Sequence, residues 1–394
     1  MFKNFWVVVV VLLGLLGGMN VASARMVVVT DYPTIQEAVN AADQTGDTVF
    51  IPAGTYYVAS SISITGAPEQ RILTLMGAGM DCTSIIIMDG RITIGRWVGS
   101  EPDSVYIIGL RIIGGGITSY LSSSSYCFIH SCRFDGCLGI GVDITGGVCY
   151  LSRNVFDLYD RAVFAHDFAR VKIFNNTFVR NHVAISIGDP PAPPDDPIIE
   201  NNIIVASRRY GIDLVYDSNG FGIHPQYNNV WNSGLADYHN CSPGRGSISV
   251  DPLMVNPEGG DYHLTAGSPC INTGNPEILD PDSSISDMGA FPYLGTGVYF
   301  EEFPSVPSVK KEFSVFPNPF NISTIIFFEL PESGPVNLQI FDIRGKLVTE
   351  LVSGNQEAGV HSLIWEAKNL PSGTYFVRLL TKYGLTIRRV MLMK

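Results

Sequence analysis

The feature that most constrains this chain is a repeat of 22 residues in its central part. Four copies of the repeat end on a large apolar residue, at Ile112, Phe134, Phe156 and Phe178. A unit this short cannot bury an apolar face alone, and it matches the length of one coil of a parallel β-solenoid. Further copies end at Ile204 and Trp231, after 26 and 27 residues, which predicts inserted loops there.

A polar column accompanies the repeat, two residues before each apolar position. Its members are Cys132, Asn154, Asn176, Asn202 and Asn229. Asparagine tolerates left-handed turns, and stacked amides bond from one coil to the next, so we predict an asparagine ladder at one corner. The sequon Asn175-Asn176-Thr177 is interpreted as part of this ladder rather than as a glycosylation site.

The first 24 residues are typical of a signal peptide. A lysine at position 3 precedes an apolar run from Phe5 to Leu16, and small residues follow up to Ala24, after which cleavage is expected. The alternative is a membrane anchor, but a bilayer span needs about 20 apolar residues and this run is shorter.

Seven cysteines occur in a chain predicted to reach an oxidising compartment, and none forms a CxxC pair, so no structural zinc site is predicted. Cys127 and Cys149 are 22 residues apart and should lie on neighbouring coils about 4.8 Å apart. Two interpretations stay open for this pair: a stacked disulfide, or two buried thiols.

A short amphipathic helix is predicted from Ile35, with Thr34 as its cap and Glu37 three residues on. A strand, a Pro-Ala-Gly corner and another strand follow. This segment, PTIQEAVNAADQTGDTVFIPAGTYY, resembles the opening of the pectin-lyase-like right-handed parallel β-helices. The resemblance implies that the helix caps the first coil.

Residues 249–293 contain "DPLMVNPEGGDYHLTAGSPCINTG" and are similar to the closing segment of many secreted bacterial β-helix proteins. We predict that they cap the exposed edge of the last coil. Residues 294–311 lack periodicity and are predicted to be a linker.

About seven short strands in residues 312–394 predict a small immunoglobulin-like β-sandwich. The motifs Pro317–Asn321, Asp342–Gly345 and Ser372–Phe376 resemble those of the C-terminal sorting domain of type IX secretion (Por system) cargo. The resemblance implies that an outer-membrane secretion translocon recognises residues 312–394. The alternative is a spacer domain without a sorting role.

The predicted fold class is therefore all-β: a right-handed parallel β-helix over residues 25–293, with an N-terminal capping helix and a C-terminal cap, followed by the β-sandwich. We expect a monomer that is secreted or held at the outer cell surface, via the periplasm. Residues 25–293 hold 13 Arg and one Lys against 28 Asp and Glu, so nucleic acid is excluded as a partner.

Candidate catalytic residues come from positions 22 to 26 apart that should converge on stacked coils. Asp160, His182 and Arg208 each stand four positions after an apolar anchor. The nearby candidates for substrate binding are Arg161, Arg180, Arg209 and Tyr210. A carboxylate and an imidazole suit acid–base chemistry, and guanidinium groups hold carboxylates or orient sugar hydroxyls. The alternative is that these positions are solvated turn residues.

Two acidic pairs also follow the repeat. Asp135 and Asp157 could bind calcium or share a proton, and calcium is the only cofactor considered. Asp167 and Asp189 are likewise 22 apart, and Asp189 opens the loop DPPAPPDDP, a predicted binding wall. The aromatic residues considered for stacking on sugars are Tyr210, Tyr216, Tyr227 and Trp231.

These observations favour a secreted or surface protein that binds or processes extracellular polysaccharide. The alternative is a non-catalytic surface or adhesion protein with the solenoid as a rigid scaffold. Whether the chain is an enzyme stays open: GxSxG, phosphate-loop and HExxH motifs are absent, as is the extended Asp, Arg and Lys pattern of well-known pectate lyases. An enzyme of this kind would be a polysaccharide lyase or a glycoside hydrolase.

Overall fold

The computed structural model of the protein describes residues 26–43, 47–65, 72–95, 104–136, 139–191, 197–216, 223–280, 284–293, 313–316, 323–330, 332–343, 346–357, 359–368, 370–381 and 384–392. The predicted signal peptide, the predicted linker and the Pro317–Asn321 motif lie outside these residues. The chain divides into two compact units with their boundary between Ser305 and Val306. No helix in the described ranges is long and apolar enough to span a bilayer.

The first unit is a parallel β-helix whose strands recur in threes. It opens with β1 (Met26–Val28), a 3-10 helix (Val29–Asp31) and α1 (Ile35–Ala41). The first four turns contain β2 (Asp47–Ile51), β3 (Gly54–Val58), β4 (Ile62–Ile64), β5 (Ile72–Gly77), β6 (Thr83–Ile87), β7 (Ile92–Gly95), β8 (Ser104–Ile108), β9 (Arg111–Ile113), β10 (Ile117–Tyr120), β11 (Tyr126–His130), β12 (Arg133–Asp135) and β13 (Ile140–Thr145).

The later turns contain β14 (Val148–Ser152), β15 (Val155–Asp157), β16 (Arg161–His166), β17 (Arg170–Phe174), β18 (Thr177–Val179), β19 (Val183–Gly188), β20 (Ile198–Glu200), β21 (Ile203–Val205), β22 (Tyr210–Tyr216), β23 (Asn229–Trp231) and β24 (Ala236–His239). Each complete turn contributes one strand to each of three parallel sheets, and each sheet has eight strands. Sheet 1 starts with β1 and β2, sheet 2 with β3 and sheet 3 with β4.

The register confirms the 22-residue repeat. Phe134 lies between Ile112 and Phe156, and Phe178 follows Phe156. The phenyl rings stack with centroids 4.6 and 4.9 Å apart, and all are fully buried. The apolar core of the β-helix is therefore a set of like side chains stacked from turn to turn, as predicted.

The position predicted for Trp231 is wrong by one residue. Ile204 pairs with Val230, which is fully buried, whereas Trp231 pairs with Val205 and is only half-buried. Each anchor is the central residue of a three-residue strand, and alternation turns only that side chain into the core. The sequence alone favours Trp231 as the anchor because its side chain is larger than that of the neighbouring Val230.

The predicted ladder is present at the corner between sheets 1 and 2. The side-chain oxygens of Asn154, Asn176, Asn202 and Asn228 each accept the backbone N–H of the corresponding residue one turn earlier, over 2.9 to 3.0 Å. These side chains are fully buried. The last member is Asn228 instead of Asn229, because the anchor of that turn is Val230 and the ladder residue stands two positions before it. The residue before each corner position is left-handed: Ser131, Arg153, Asn175, Asn201 and Tyr227.

Cys127 and Cys149 are register neighbours in sheet 1, as their spacing predicts. Both are free thiols and fully buried, which is the second of the two interpretations. Burial raises the pKa of the Cys149 thiol well above its usual value and that of Cys132 to about 12. These sulfurs act as apolar core atoms.

The predicted N-terminal helix and the strand–corner–strand after it are confirmed as α1, β2 and β3. The Thr34 Oγ1 accepts the N–H of Glu37 at 3.1 Å, and Ile35, Ala38 and Val39 are buried. The helix therefore closes the open end of the apolar core.

The C-terminal segment of the β-helix, residues 247–293, contains β25 (Met254–Asn256), a 3-10 helix (Pro257–Gly259) and β26 (Asp261–Leu264). It first bridges the edge of sheet 2, where Ile248 pairs with Asn229. It then packs across the outer face of that sheet, where Tyr262, Leu264, Met288 and other apolar residues cover Val155, Val179 and Ile203. The segment thus covers a lateral face as well as an edge.

A buried polar network fastens this segment to sheet 2. The Arg180 guanidinium binds both carboxylate oxygens of Asp157, at 3.1 and 2.6 Å, and the Tyr262 hydroxyl donates to Asp157 at 2.8 Å. Glu258 pairs with the same arginine at 2.9 Å. The side chain of Asp157 is 7% exposed, whereas that of Glu258 is 86% exposed.

The second unit is an antiparallel sandwich of two sheets, as predicted. One sheet consists of β27 (Phe313–Phe316), β28 (Ser323–Leu330) and β31 (Gly359–Glu366); the other consists of β29 (Gly334–Asp342), β30 (Leu347–Gln356), β32 (Gly373–Thr381) and β33 (Gly384–Leu392). Trp365 and Tyr375 meet edge to face in its core, with ring centroids 5.5 Å apart. The Tyr375 hydroxyl donates to the Pro371 carbonyl at 2.9 Å, which resembles the tyrosine corner of immunoglobulin-like domains.

The ladder predicts a large stability loss for Asn176→Ala. The variant removes the acceptor of the Asn154 N–H and leaves the Leu151 carbonyl without its amide donor in a dry interior. We expect the free energy of unfolding of the β-helix to fall by about 3–5 kcal/mol, as measured by guanidinium denaturation. Asn40→Ala, on the exposed surface of α1, is the control and should change it by less than about 0.5 kcal/mol. Equal midpoints for the two variants would contradict the ladder's role.

The network on sheet 2 predicts different effects for the two carboxylates that share Arg180. Asp157→Asn should lower the free energy of unfolding by about 2–3 kcal/mol, because Arg180 loses the one of its two counter-charges that is buried from water. Glu258→Gln is the matched control and should cost less than about 0.5 kcal/mol, because water already screens that pair. Denaturation of both variants at neutral pH tests this, and a loss of similar size in both would disprove it.

Candidate functional site

The candidate site lies on the outer face of sheet 3. Val142, Val163, Ile185 and Ile212 are register neighbours whose side chains fill the core. The next residue of each strand therefore points outward. These outward residues are Asp143, Phe164, Ser186 and Asp213, and His239 follows on β24. A column of mixed polar and aromatic groups thus crosses five consecutive turns.

One cluster on this face centres on His166. Its Nε2 lies 3.2 Å from Asp143 Oδ1 and its Nδ1 lies 3.2 Å from Asp167 Oδ2. The imidazole stacks on Phe164 with ring centroids 4.6 Å apart, and the Arg161 guanidinium lies 4.6 Å from the centroid of the same phenyl ring. Both ring nitrogens are thus held by carboxylates.

A second cluster centres on His239. Its Nδ1 lies 2.7 Å from Asp213 Oδ1, and its ring stacks on Tyr210 with centroids 4.0 Å apart. The Arg209 guanidinium lies 4.9 Å from the Tyr210 centroid. The Asp213 carboxylate is largely buried, while the His239 side chain is 40% exposed. A buried carboxylate that orients an accessible imidazole is a common arrangement in general acid–base catalysis.

The two clusters contain the same four kinds of group: an arginine, an aromatic ring, an imidazole and a carboxylate. The groups occupy different register positions, since Arg161 lies in the column of Tyr210 and Phe164 in that of Asp213. The strands β16 and β22, which carry the two aromatic rings, are two turns apart, or about 10 Å. The outer face of sheet 3 therefore presents the same kinds of group twice along the stack of turns.

The predicted residues Asp160, His182 and Arg208 lie at the corner that leads into sheet 3. They stack on successive turns, since the N–H of Val183 donates to Asp160 O and that of Arg209 to His182 O, both at 2.9 Å. All three residues are exposed. The Asp160 carboxylate accepts the Gly139 N–H at 2.9 Å, so it stabilises a turn. Their catalytic role stays a prediction.

Of the residues predicted to bind substrate, Arg161, Arg209 and Tyr210 belong to the two clusters. Arg180 does not, because its guanidinium pairs with Asp157 on the outer face of sheet 2. Of the other aromatic candidates, Tyr227 is buried and packs with the C-terminal segment, so its ring is not available to a ligand.

Asp135 and Asp157 are register neighbours, as predicted. Each is already paired with arginine: Asp135 with Arg111 and Arg133, and Asp157 with Arg180. Among the described residues, no group of three His, Cys, Asp or Glu side chains could hold a metal ion. Calcium at Asp135 and Asp157 stays a prediction.

The sequence analysis missed Asp143, His166, Asp213 and His239. The partners in each pair are 23 and 26 residues apart, so the 22-residue spacing does not align them. The available signal was alternation: Asp143 stands between the apolar residues Val142 and Ile144, and Asp213 between Ile212 and Leu214.

Two family models match the chain. Residues 97–247 match the right handed beta helix region, and residues 314–393 match the secretion system C-terminal sorting domain. No protein of curated function matches. Domains of the second family direct export by the type IX system to the cell surface or the extracellular space.

The chain also shows a low similarity to two solved structures. One is ORF18 of Geobacillus virus E2, with 16% identity and a TM-score of 0.24, over 57% of this chain and 50% of that chain. The other is the PL6 family alginate lyase AlyGC, with 12% identity and a TM-score of 0.23, over 59% of this chain and 41% of that chain. This chain thus spans half or less of each. From its two family matches, the protein is a right-handed parallel β-helix protein with a C-terminal type IX sorting domain.

Proposed function

We propose that this exported protein binds or processes an extracellular polysaccharide on the outer face of sheet 3. The observation that supports this is that arginine, aromatic ring, imidazole and carboxylate occur together twice along that face. A linear polymer with a repeating unit suits a surface on which like groups recur along one direction. Aromatic rings provide apolar area for sugar rings, and guanidinium groups bind hydroxyls or carboxylates.

The two imidazoles have different roles in this proposal. Asp213 binds Nδ1 of His239 and so sets the tautomer of that ring, which leaves Nε2 to exchange a proton with a sugar hydroxyl or a leaving oxygen. His166 has both nitrogens engaged by carboxylates, so it positions the ligand. His239 is therefore the proposed acid–base group.

The corner beside this face supplies further contacts in the proposal. Arg208 and His182 are exposed there, next to the strands that hold Arg161 and Tyr210. Arg161, Arg208 and Arg209 can bind sugar hydroxyls or carboxylates there, next to the carboxylates of the same face. The protein acts as a monomer, passes through the periplasm, and is recognised by an outer-membrane translocon through residues 312–394.

The alternative is a non-catalytic surface or adhesion protein in which the β-helix is a rigid scaffold. The contacts of both His166 nitrogens with Asp143 and Asp167 favour it, because they leave His239 as the single imidazole of the two clusters with a nitrogen open for proton transfer. Both proposals describe an exported protein. They differ in whether it turns over a polysaccharide.

A paired substitution tests the site. His239→Ala removes the proposed acid–base group, while His263→Ala removes a histidine with a similar setting on the C-terminal segment. His263 Nδ1 lies 2.7 Å from Asp261 Oδ1, and its ring stacks on Phe291 at 4.3 Å. The full-length mature protein is screened for binding and depolymerisation of alginate, polygalacturonate, xylan, cellulose and chitin.

We expect His239→Ala to lower turnover of the responsive polymer by about 10²–10⁴-fold, and His263→Ala to leave it within twofold. Binding without turnover in the wild-type protein would support the scaffold alternative. The site is excluded if both variants match the wild-type protein in binding and turnover.

A further inference from the structure

The corner after β16 carries an exposed aromatic residue in an unfavourable backbone conformation. Phe168 is 63% exposed and has a φ of 60°, directly after Asp167 at 53°. Bulky residues rarely adopt positive φ, and the conformation costs on the order of 1–2 kcal/mol. The same corner one turn earlier consists of Gly146 and Gly147, which adopt φ of 66° and 61° without that cost.

This corner is also one residue longer than the corner before it. Two residues separate β13 from β14, whereas Asp167, Phe168 and Ala169 separate β16 from β17. Ala169 is buried, so it belongs to the wall of the helix. The β-helix can therefore close this corner without a phenylalanine, and the fold does not explain the presence of Phe168.

The corner is fixed next to the first histidine cluster. The N–H of Phe168 donates to the Asp189 carbonyl at 3.0 Å, and the side chain of Asp167 lies 3.2 Å from His166 Nδ1. The backbone of Phe168 is thus held in place two residues from His166, with most of its side chain in solvent. Because that backbone is fixed in advance, only the rotamer freedom of the accessible side chain is lost when it binds a ligand.

We propose that Phe168 is a stacking residue for a pyranose ring of the bound glycan, at a subsite on the corner between sheets 3 and 1. This inference rests on the proposed function and extends it, because the ligand then turns from the outer face of sheet 3 across the corner. The flat apolar face of a pyranose packs on an aromatic ring. Ligand binding by the exposed phenyl group would account for a strained backbone conformation that the fold itself does not require.

Phe168→Gly separates this role from a structural one. Glycine relieves the positive φ, so the midpoint of denaturation should be unchanged or higher. Affinity for the polymer that binds best among the five named above should fall by about threefold to tenfold in isothermal titration calorimetry. Phe168→Leu keeps apolar bulk without an aromatic face and should show a similar loss of affinity. Tyr57→Ala, at a 74% exposed tyrosine on sheet 2, is the control and should bind like the wild-type protein.

The outcomes distinguish the two proposals. A wild-type protein that binds none of the five polymers overturns the proposed function and this subsite with it. Wild-type binding that Phe168→Gly leaves unchanged overturns the subsite alone. Wild-type affinity in Phe168→Leu with a loss only in Phe168→Gly overturns the stacking role, and a lower midpoint in Phe168→Gly would show that the side chain serves the fold.

Discussion

The structure of the β-helix depends on the column of buried amides at the corner between sheets 1 and 2. Each asparagine there accepts a backbone N–H from the turn before, and most also bond to the asparagine of the turn after, as Asn176 does with Asn202 at 3.0 Å. Such bonds are strong in a dry interior and expensive to leave unmade. They fix the register between the turns from β11 to β23, and with it the direction of the side chains on those strands.

The corners of the β-helix differ in how much their length varies from turn to turn. From β8 onward, two residues always connect sheet 1 to sheet 2, and the first of them is left-handed. From β14 onward the second is an asparagine of the ladder. Between sheets 3 and 1 the connection grows from two residues after β13 to three after β16 and nine after β19. Inserted residues at these corners do not disturb the ladder, so side chains can be added there without loss of the fold.

Much of the fold could be predicted because it is periodic. Stacked phenylalanines and cysteines recur every 22 residues and the amides every 22 or 26, and a capped helix or a run of short strands is visible locally. Contacts that join distant parts of the chain left no such pattern. Asp157 and Tyr262 are 105 residues apart, and the Arg180 guanidinium binds on a face that the sequence did not show to be covered. Asp213 and His239 were hidden because an insertion makes their spacing 26 residues. Asp143 and His166 were hidden because they are diagonal neighbours, since the register partner of Asp143 is Phe164.

The C-terminal segment of the β-helix also determines how the molecule carries load. The N–H of Ala290 binds Thr177 Oγ1 at 2.9 Å, and the Arg133 guanidinium binds the Gly260 carbonyl at 3.0 Å, two turns further toward the N-terminus. Tension applied to the chain beyond residue 293 therefore acts first on the outer face of sheet 2. There it loads the contacts of several turns at once, parallel to that face. A solenoid tethered in this way resists peeling of its last coil, because the tether does not pull on that coil directly.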